Sequence, residues 1–167
     1  MVWINWEIFA QEWLKRSRRK RKGYDEGDRF ISLWIAFNGW MRGKYGESLT
    51  DAEQIQHVKG NQELIRTYDY LKETSPSFAD LLNHIGRYSV ANMRYPGDKN
   101  RILRYDGSFA TLIDVLYSVR SNLFHGRKSI EENKKDFKLV VLSYKILRRL
   151  FSEYLKKKYA HHPFSFG

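Results

Sequence analysis

Hydrophobic positions recur at helical spacing along most of the chain. The first stripe has members three and four residues apart: Trp3, Trp6, Phe9, Ala10, Trp13 and Leu14. It predicts an amphipathic helix that runs into the basic segment 15–22, with Gly23 as its stop. The next stretch, 28–44, has apolar residues on nearly every helical face. That pattern predicts the central, most buried helix.

Capping signals divide the following part of the chain. Residues 50–53, Thr-Asp-Ala-Glu, form a capping-box pattern that predicts the start of a more polar helix reaching about residue 73. Pro76, directly after Ser75, indicates the first turn of a shorter helix. Residues 87–107 show no clear period. Because a structureless connection of that length is unusual in a compact domain, we expect a short helix or a small hairpin there.

Two further helices are predicted in the last third of the chain. Ser108 is the expected cap of a helix from 109 to about 124, and the capping box at 129–132 opens a last helix to about residue 157. Residues 158–167 are expected to be a frayed tail. The whole pattern predicts an all-α fold, a single compact bundle of about five to six helices over residues 1–167.

Composition removes several classes of protein. The 167 residues include no cysteine, so neither disulfides nor thiolate metal sites are available. The longest apolar stretches, such as 34–37, fall far short of the ~20 residues that cross a bilayer. Residues 1–7 have no basic segment ahead of an apolar block, so we expect no secretory signal. These features predict a soluble cytoplasmic protein with no membrane partner, no metal and no cofactor.

The charge balance points to a polyanionic partner. Lysine and arginine number 30 against 19 acids, which gives a net charge of +11 and a pI near 9.8. A fold does not need that excess, and RNA is a partner that would match it. The basic residues predicted to contact RNA are Arg16, Arg18, Arg19, Lys20, Arg21, Arg127 and Lys128. For the first five, a solvated helix end is an equal alternative, and the lack of interleaved aromatic residues argues against base stacking.

One arginine lies on the wrong face of its helix. With 100° per residue from residue 109, four apolar residues fall within an arc from about 300° to about 40°, and Arg120 falls at about 20°; the four are Leu112, Ile113, Leu116 and Leu123. Burying a guanidinium without a partner is costly, so the sequence predicts a carboxylate, a neighbouring chain or a phosphate beside it. The plainer alternative is an arginine whose stem packs on the core while its head reaches water.

A histidine follows five residues later. His125 falls at the predicted helix end, with Asn122 before it and Gly126 suited to the left-handed C-cap conformation. A lone histidine there is usually a partner of the helix dipole. Beside Arg120 it becomes a candidate acid–base group, because its ordinary pKa is about 6.5. Its protonation stays open, since nearby cations disfavour the imidazolium and the helix C-terminus favours it.

Two strings in this order resemble the HEPN superfamily (higher eukaryotes and prokaryotes nucleotide-binding domain). Its hallmark is an Arg-x4–6-His motif near the end of a helix in a small α-bundle, and Arg120 and His125 are separated by four residues. The string LYSVRSNLFHG at 116–126 is similar to the R-N-x-L-F-H-G form of Apea-like HEPN proteins. LWIAFNGWM at 33–41 is similar to the WIAFNALY-type helix of that group. Ser121 stands where an amide or an acid often follows the family's arginine.

The resemblance implies a metal-independent endoribonuclease, often a toxin or defence effector, that works as a homodimer with two motifs facing each other. Arg120, Asn122 and His125 are then the candidate catalytic residues. Cleavage through the RNA 2′-hydroxyl needs a base, an acid and positive charge on the phosphorane. One histidine cannot be base and acid at once, so a two-fold dimer makes chemical sense.

Two other interpretations stay open. In the first, the chain is a non-catalytic HEPN binding module, such as an RNA-binding adaptor or one component of a toxin–antitoxin pair with an antitoxin or nucleotidyltransferase partner. Alternatively, it is a helical interaction domain in which Arg120 pairs with an internal acid. Asn38 could bond to Arg120 or His125, although a plain core hydrogen bond fits it as well. Asp51 and Glu53 are assigned only to the capping box.

Overall fold

Seven α-helices carry the fold in a computed structural model that describes residues 4–20, 25–91, 102–125 and 134–160. In chain order the helices are α1 Trp6–Arg18, α2 Glu26–Tyr45, α3 Asp51–Lys59, α4 Gln62–Thr74, α5 Pro76–Ile85, α6 Phe109–His125 and α7 Lys134–Lys158. Two short antiparallel strands, β1 Val90–Ala91 and β2 Ile102–Leu103, lie between α5 and α6. The predicted all-α, compact helical class is confirmed. None of these helices is long and apolar enough to cross a bilayer.

Helix α2 is the buried centre that its apolar pattern predicts. It packs against α1, α3, α6 and α7, and Phe30, Leu33 and Met41 are fully buried. Two glycines let α1 approach it closely. A Cβ on Gly39 would lie 2.4 Å from the ring of Phe9, and one on Gly43 would lie 2.7 Å from Trp6 Cβ. The aromatic side chains of α1 therefore lie directly on the α2 backbone.

The predicted polar helix from residue 50 to about 73 is two helices. Gly60 ends α3, and its N–H donates to the carbonyls of Gln56 and His57. Asn61 then caps α4, because its side-chain oxygen accepts from the N–H of Leu64 at 3.0 Å. These bonds serve two carbonyls at the end of α3 and one N–H at the start of α4, which favours a break between the two helices. This break makes the number of helices in the described residues larger than predicted.

The predicted helix starts at residues 50, 76 and 108 are confirmed. Thr50 and Glu53 form a capping box in which each binds the other's backbone N–H. Pro76 is the first residue of α5, and the Ser108 hydroxyl accepts from the N–H of Thr111 at 3.2 Å. The hairpin alternative for residues 87–107 is confirmed by the pairing of β1 with β2.

The end of the first helix was predicted too late. Helix α1 ends at Arg18, because Arg19 adopts an extended backbone with φ −74° and ψ 129°. Gly23, Gly126 and the capping box at 129–132 lie outside the described residues. The last helix ends at Lys158, one residue from its predicted end. Residues 161–167 of the predicted tail also lie outside the described part of the chain.

Candidate functional site

Arg120 lies at a cleft between α1, α2, α3 and α6. The cleft has a volume of about 310 Å³ and is lined by Ile4, Trp6, Phe9, Trp34, Ile35, Asn38, Arg42, Asp51 and Arg120. The side chain of Arg120 is 22% exposed, so it is neither buried in the core nor extended into solvent. The position that the helical pattern assigned to the apolar face thus opens onto a cleft with mixed apolar and charged walls.

Of the partners that the sequence left open for Arg120, the structure shows a carboxylate. Arg120 Nη2 lies 3.2 Å from Asp51 Oδ2 in a hydrogen-bonded ion pair. Asp51 is the first residue of α3, and the Thr50–Glu53 capping box fixes the helix turn that carries it. The capping-box assignment of Asp51 was therefore incomplete. Thr50 and Glu53 make the box, while the carboxylate of Asp51 binds Arg120.

A second guanidinium shares the same carboxylate. Arg42 Nη2 lies 3.8 Å from Asp51 Oδ1, and the Arg42 side chain is 34% exposed. Asn38 bridges Arg42 and Asp51. Its Nδ2 donates to Asp51 Oδ1 at 3.3 Å, and its Oδ1 accepts from Arg42 Nε at 3.0 Å. Sequence reasoning missed Arg42 and Asp51. The readable signal was the four-residue spacing of Asn38 and Arg42, which puts them on one helix face.

Aromatic rings flank the charged cluster. The Arg120 guanidinium carbon lies 5.9 Å from the ring centroids of both Trp34 and Tyr117, within the range of a cation–π contact. Trp34 is 2% exposed, and its indole N–H has no hydrogen-bond partner among the described residues. Trp6, at the other wall, donates its indole N–H to the Glu47 carboxylate. Arg120 is thus held by an acid and by two rings at once.

The Asn122 side chain does not join this cluster. Asn122 Nδ2 donates to the Ala91 carbonyl at 2.7 Å, which ties α6 to β1. Asn122 is about 200° around the helix from Arg120, so its contact lies on the other side. His125 is the last residue of α6, about 7.5 Å along the axis from Arg120. The imidazole of His125, and all of Arg127 and Lys128, lie outside the described part of the chain.

The basic run at the end of α1 divides into exposed and packed residues. Arg16, Arg19 and Lys20 are exposed, and the Arg16 guanidinium carbon lies 4.6 Å above the Trp13 ring. Arg18 is half-buried, and its Nη2 donates to the Ser152 hydroxyl of α7 at 3.2 Å. Arg21 lies outside the described residues. The predicted RNA contacts are therefore not equivalent positions.

Hydrogen bonding at the start of α3 also changes a pKa. The backbone N–H and then the hydroxyl of Thr50 donate to Glu53, and both lower the pKa of that carboxyl. No group of three or more histidine, aspartate or glutamate side chains in the described ranges is arranged to hold a metal ion. Comparisons with protein-family models, curated proteins and solved structures found no match to this chain.

Proposed function

We propose that the protein is a metal-independent endoribonuclease of the HEPN type, acting as a toxin or defence effector. The observation that carries the proposal is the position of Arg120. Its guanidinium is part-exposed at an open cleft, oriented by Asp51, on the helix whose last residue is His125. A fixed guanidinium at a cleft is suited to binding two phosphate oxygens. The net charge of +11 favours a nucleic-acid substrate.

In this proposal each motif residue has a chemical role. Arg120 stabilises the charge that develops on the phosphorane while the RNA 2′-oxygen attacks the phosphorus. His125 transfers protons, and a homodimer brings a second His125 so that one acts as base and the other as acid. Attack by the 2′-oxygen releases the 5′-hydroxyl and leaves a 2′,3′-cyclic phosphate. Asn122 acts as a positioning residue, because its amide ties α6 to β1.

A second candidate function is RNA or partner binding without cleavage, with an antitoxin or nucleotidyltransferase protein as the partner. The Arg120–Asp51 ion pair is the internal acid partner expected of a helical interaction domain, so it favours partner binding over cleavage. An arginine that already has a carboxylate partner needs no reacting phosphate to explain its position on the apolar face. The two candidates differ in whether His125 is needed.

The deciding experiment is incubation of the purified protein with mixed RNA in EDTA. We expect cleavage that leaves cyclic phosphate ends, with DNA uncut. His125→Ala should reduce the rate by roughly 10²-fold or more. His84→Ala is the matched control, since His84 is an exposed histidine near the end of α5. Equal cleavage by the wild type and His125→Ala, or no cleavage by either, would contradict the ribonuclease proposal and favour the binding module.

The predicted homodimer has its own test. Light scattering after size-exclusion chromatography should give a dimer at tens of micromolar, on the order of the concentration at which a standard-size interface holds. A monomer throughout that range would remove the second histidine from the proposed chemistry. Cleavage by a strict monomer would then require another acid.

A further inference from the structure

The charges of the cleft do not cancel. Arg42 and Arg120 contribute two positive charges, and Asp51 is the carboxylate between them. Asp51 is 29% exposed, so a solute anion can reach the same place. Among the described residues that line the cleft, these three groups leave one net positive charge; the Glu47 carboxylate, which accepts from the indole N–H of Trp6, is not a lining residue.

Arg42 is bound less tightly to the carboxylate than Arg120. Its Nη2 lies 3.8 Å from Asp51 Oδ1, well beyond the ~2.7–2.9 Å of a charge-assisted hydrogen bond. Its Nε donates to Asn38, and its Nη1 reaches the Glu47 carbonyl at 3.4 Å. The Asn38 contact fixes the direction of the guanidinium while leaving Nη2 able to bind a closer oxygen.

We infer that Asp51 occupies the place of a ligand's anion, and that an RNA phosphate displaces it to bind between Arg42 and Arg120. Carboxylate and phosphate both present paired oxygens to a guanidinium fork, so one can replace the other. Arg42 is then a second phosphate-binding residue, and Asp51 is an internal competitor that lowers the affinity for RNA. The inference rests on the proposed function for the identity of the ligand as RNA.

The walls of the cleft suit the rest of a nucleotide. Trp6, Phe9 and Ile35 are half-buried and line the cleft beside the two arginines. Apolar and aromatic surface next to backbone-binding cations is the combination that single-stranded nucleic-acid sites use. The volume of about 310 Å³ lies at the small end of the range for ligand sites, which fits one nucleotide unit.

The test measures binding of a fluorescent 2′-O-methyl oligonucleotide, which has no free 2′-hydroxyl and cannot be cleaved. Asp51→Asn keeps the size of the side chain and removes its charge, and we expect roughly three- to tenfold tighter binding. Asp114→Asn is the matched control, because Asp114 is similarly exposed and paired with Lys59 outside the cleft. It should change affinity by less than about twofold.

The complementary variant is Arg42→Gln, which should weaken binding by roughly three- to tenfold. Arg66→Gln, an exposed position on α4 that does not line this cleft, should have little effect. Circular dichroism checks that each variant is folded. Equal effects of Asp51→Asn and Asp114→Asn, weaker binding by Asp51→Asn, no effect of Arg42→Gln, or no binding by the wild type would overturn the inference.

These outcomes are separate from those of the proposed function. A protein that binds the oligonucleotide with the expected variant effects but leaves natural RNA intact defeats the ribonuclease and retains the phosphate site. If the wild type cleaves RNA but Asp51→Asn binds the oligonucleotide no more tightly than the wild type, the ribonuclease proposal stands and the displacement of Asp51 by phosphate is wrong.

Discussion

Among the side chains that the structure describes, helix α6 makes two ion pairs with α3, and the pairs have different consequences. Lys59 Nζ lies 3.0 Å from both carboxylate oxygens of Asp114, whereas Arg120 Nη2 lies 3.2 Å from one oxygen of Asp51. Their exposures are similar, at 22% and 33% for Lys59 and Asp114 and 22% and 29% for Arg120 and Asp51. The two pairs differ in Arg42, which also contacts the carboxylate of Asp51 and does not contact that of Asp114.

The comparison shows that an ion pair alone does not distinguish a purely structural contact between helices from a ligand-binding site. Lys59 and Asp114 neutralise each other, so the pair attaches one helix to another. Arg120 and Asp51 form part of a larger group that keeps a positive charge and borders a cleft. A paired arginine indicates a binding site when its group keeps a net charge and a ligand can reach that charge.

The largest expected effect comes from exchanging the cation in each pair. Arg120→Lys keeps the charge but loses the planar fork, so we expect RNA cleavage to fall by roughly 30-fold or more. Lys59→Arg makes the reverse exchange in the other pair and should leave the cleavage rate unchanged. Initial rates on one labelled RNA measure both. Similar cleavage rates for the two variants would show that Arg120, like Lys59, has only a structural role.

Removing the acid from each pair compares their contributions to the free energy of unfolding. Asp114→Ala should cost about 0–1 kcal/mol, as expected for a partly exposed pair. Asp51→Ala removes contacts of Arg120, Arg42 and Asn38 together, so we expect about 1–2 kcal/mol. Urea unfolding measures both. A larger loss for Asp114→Ala would reverse the order of the two pairs.

The basic run allows the same distinction between engaged and exposed cations. Replacing Arg16, Arg19 and Lys20 together by glutamine should lower the salt slope of single-stranded RNA binding by up to about 2, because each phosphate contact contributes about 0.7. Arg18→Gln should leave the slope nearly unchanged, since Arg18 packs against Ser152 of α7. Titrations at several salt concentrations provide the slopes. An unchanged slope in the triple variant would assign the run to a solvated helix end.

Local signals in the sequence predicted the helices, and long-range contacts limited prediction of the site. Thr50, Pro76 and Ser108 mark helix starts because their effects act within one turn. The periodic pattern also predicted that Arg120 needs a partner. It could not identify Asp51, which is 69 positions away in the chain and reaches Arg120 only through packing of α3 on α6. Asn122 shows the same limit, because its partner Ala91 belongs to a strand pair without a clear period.

The smallest expected effect concerns the turn that carries Asp51. The lowered pKa of Glu53 stabilises the start of α3 above its unfolded-state pKa of about 4.3, and this contribution is lost as the pH falls through the lower folded-state value. Thr50→Ala removes the hydroxyl but keeps the backbone N–H, so the pKa of Glu53 should rise part of the way to its ordinary value. The lowered pKa of Asp106, held by the Ser108 backbone N–H, should not move. Carboxyl NMR titration measures both groups. A Glu53 pKa that does not move in Thr50→Ala would show that the hydroxyl does not lower it. The Arg120 guanidinium signal should broaden near the same pH, because the frayed turn carries Asp51; a signal that stays sharp would separate the capping box from the Asp51–Arg120 pair.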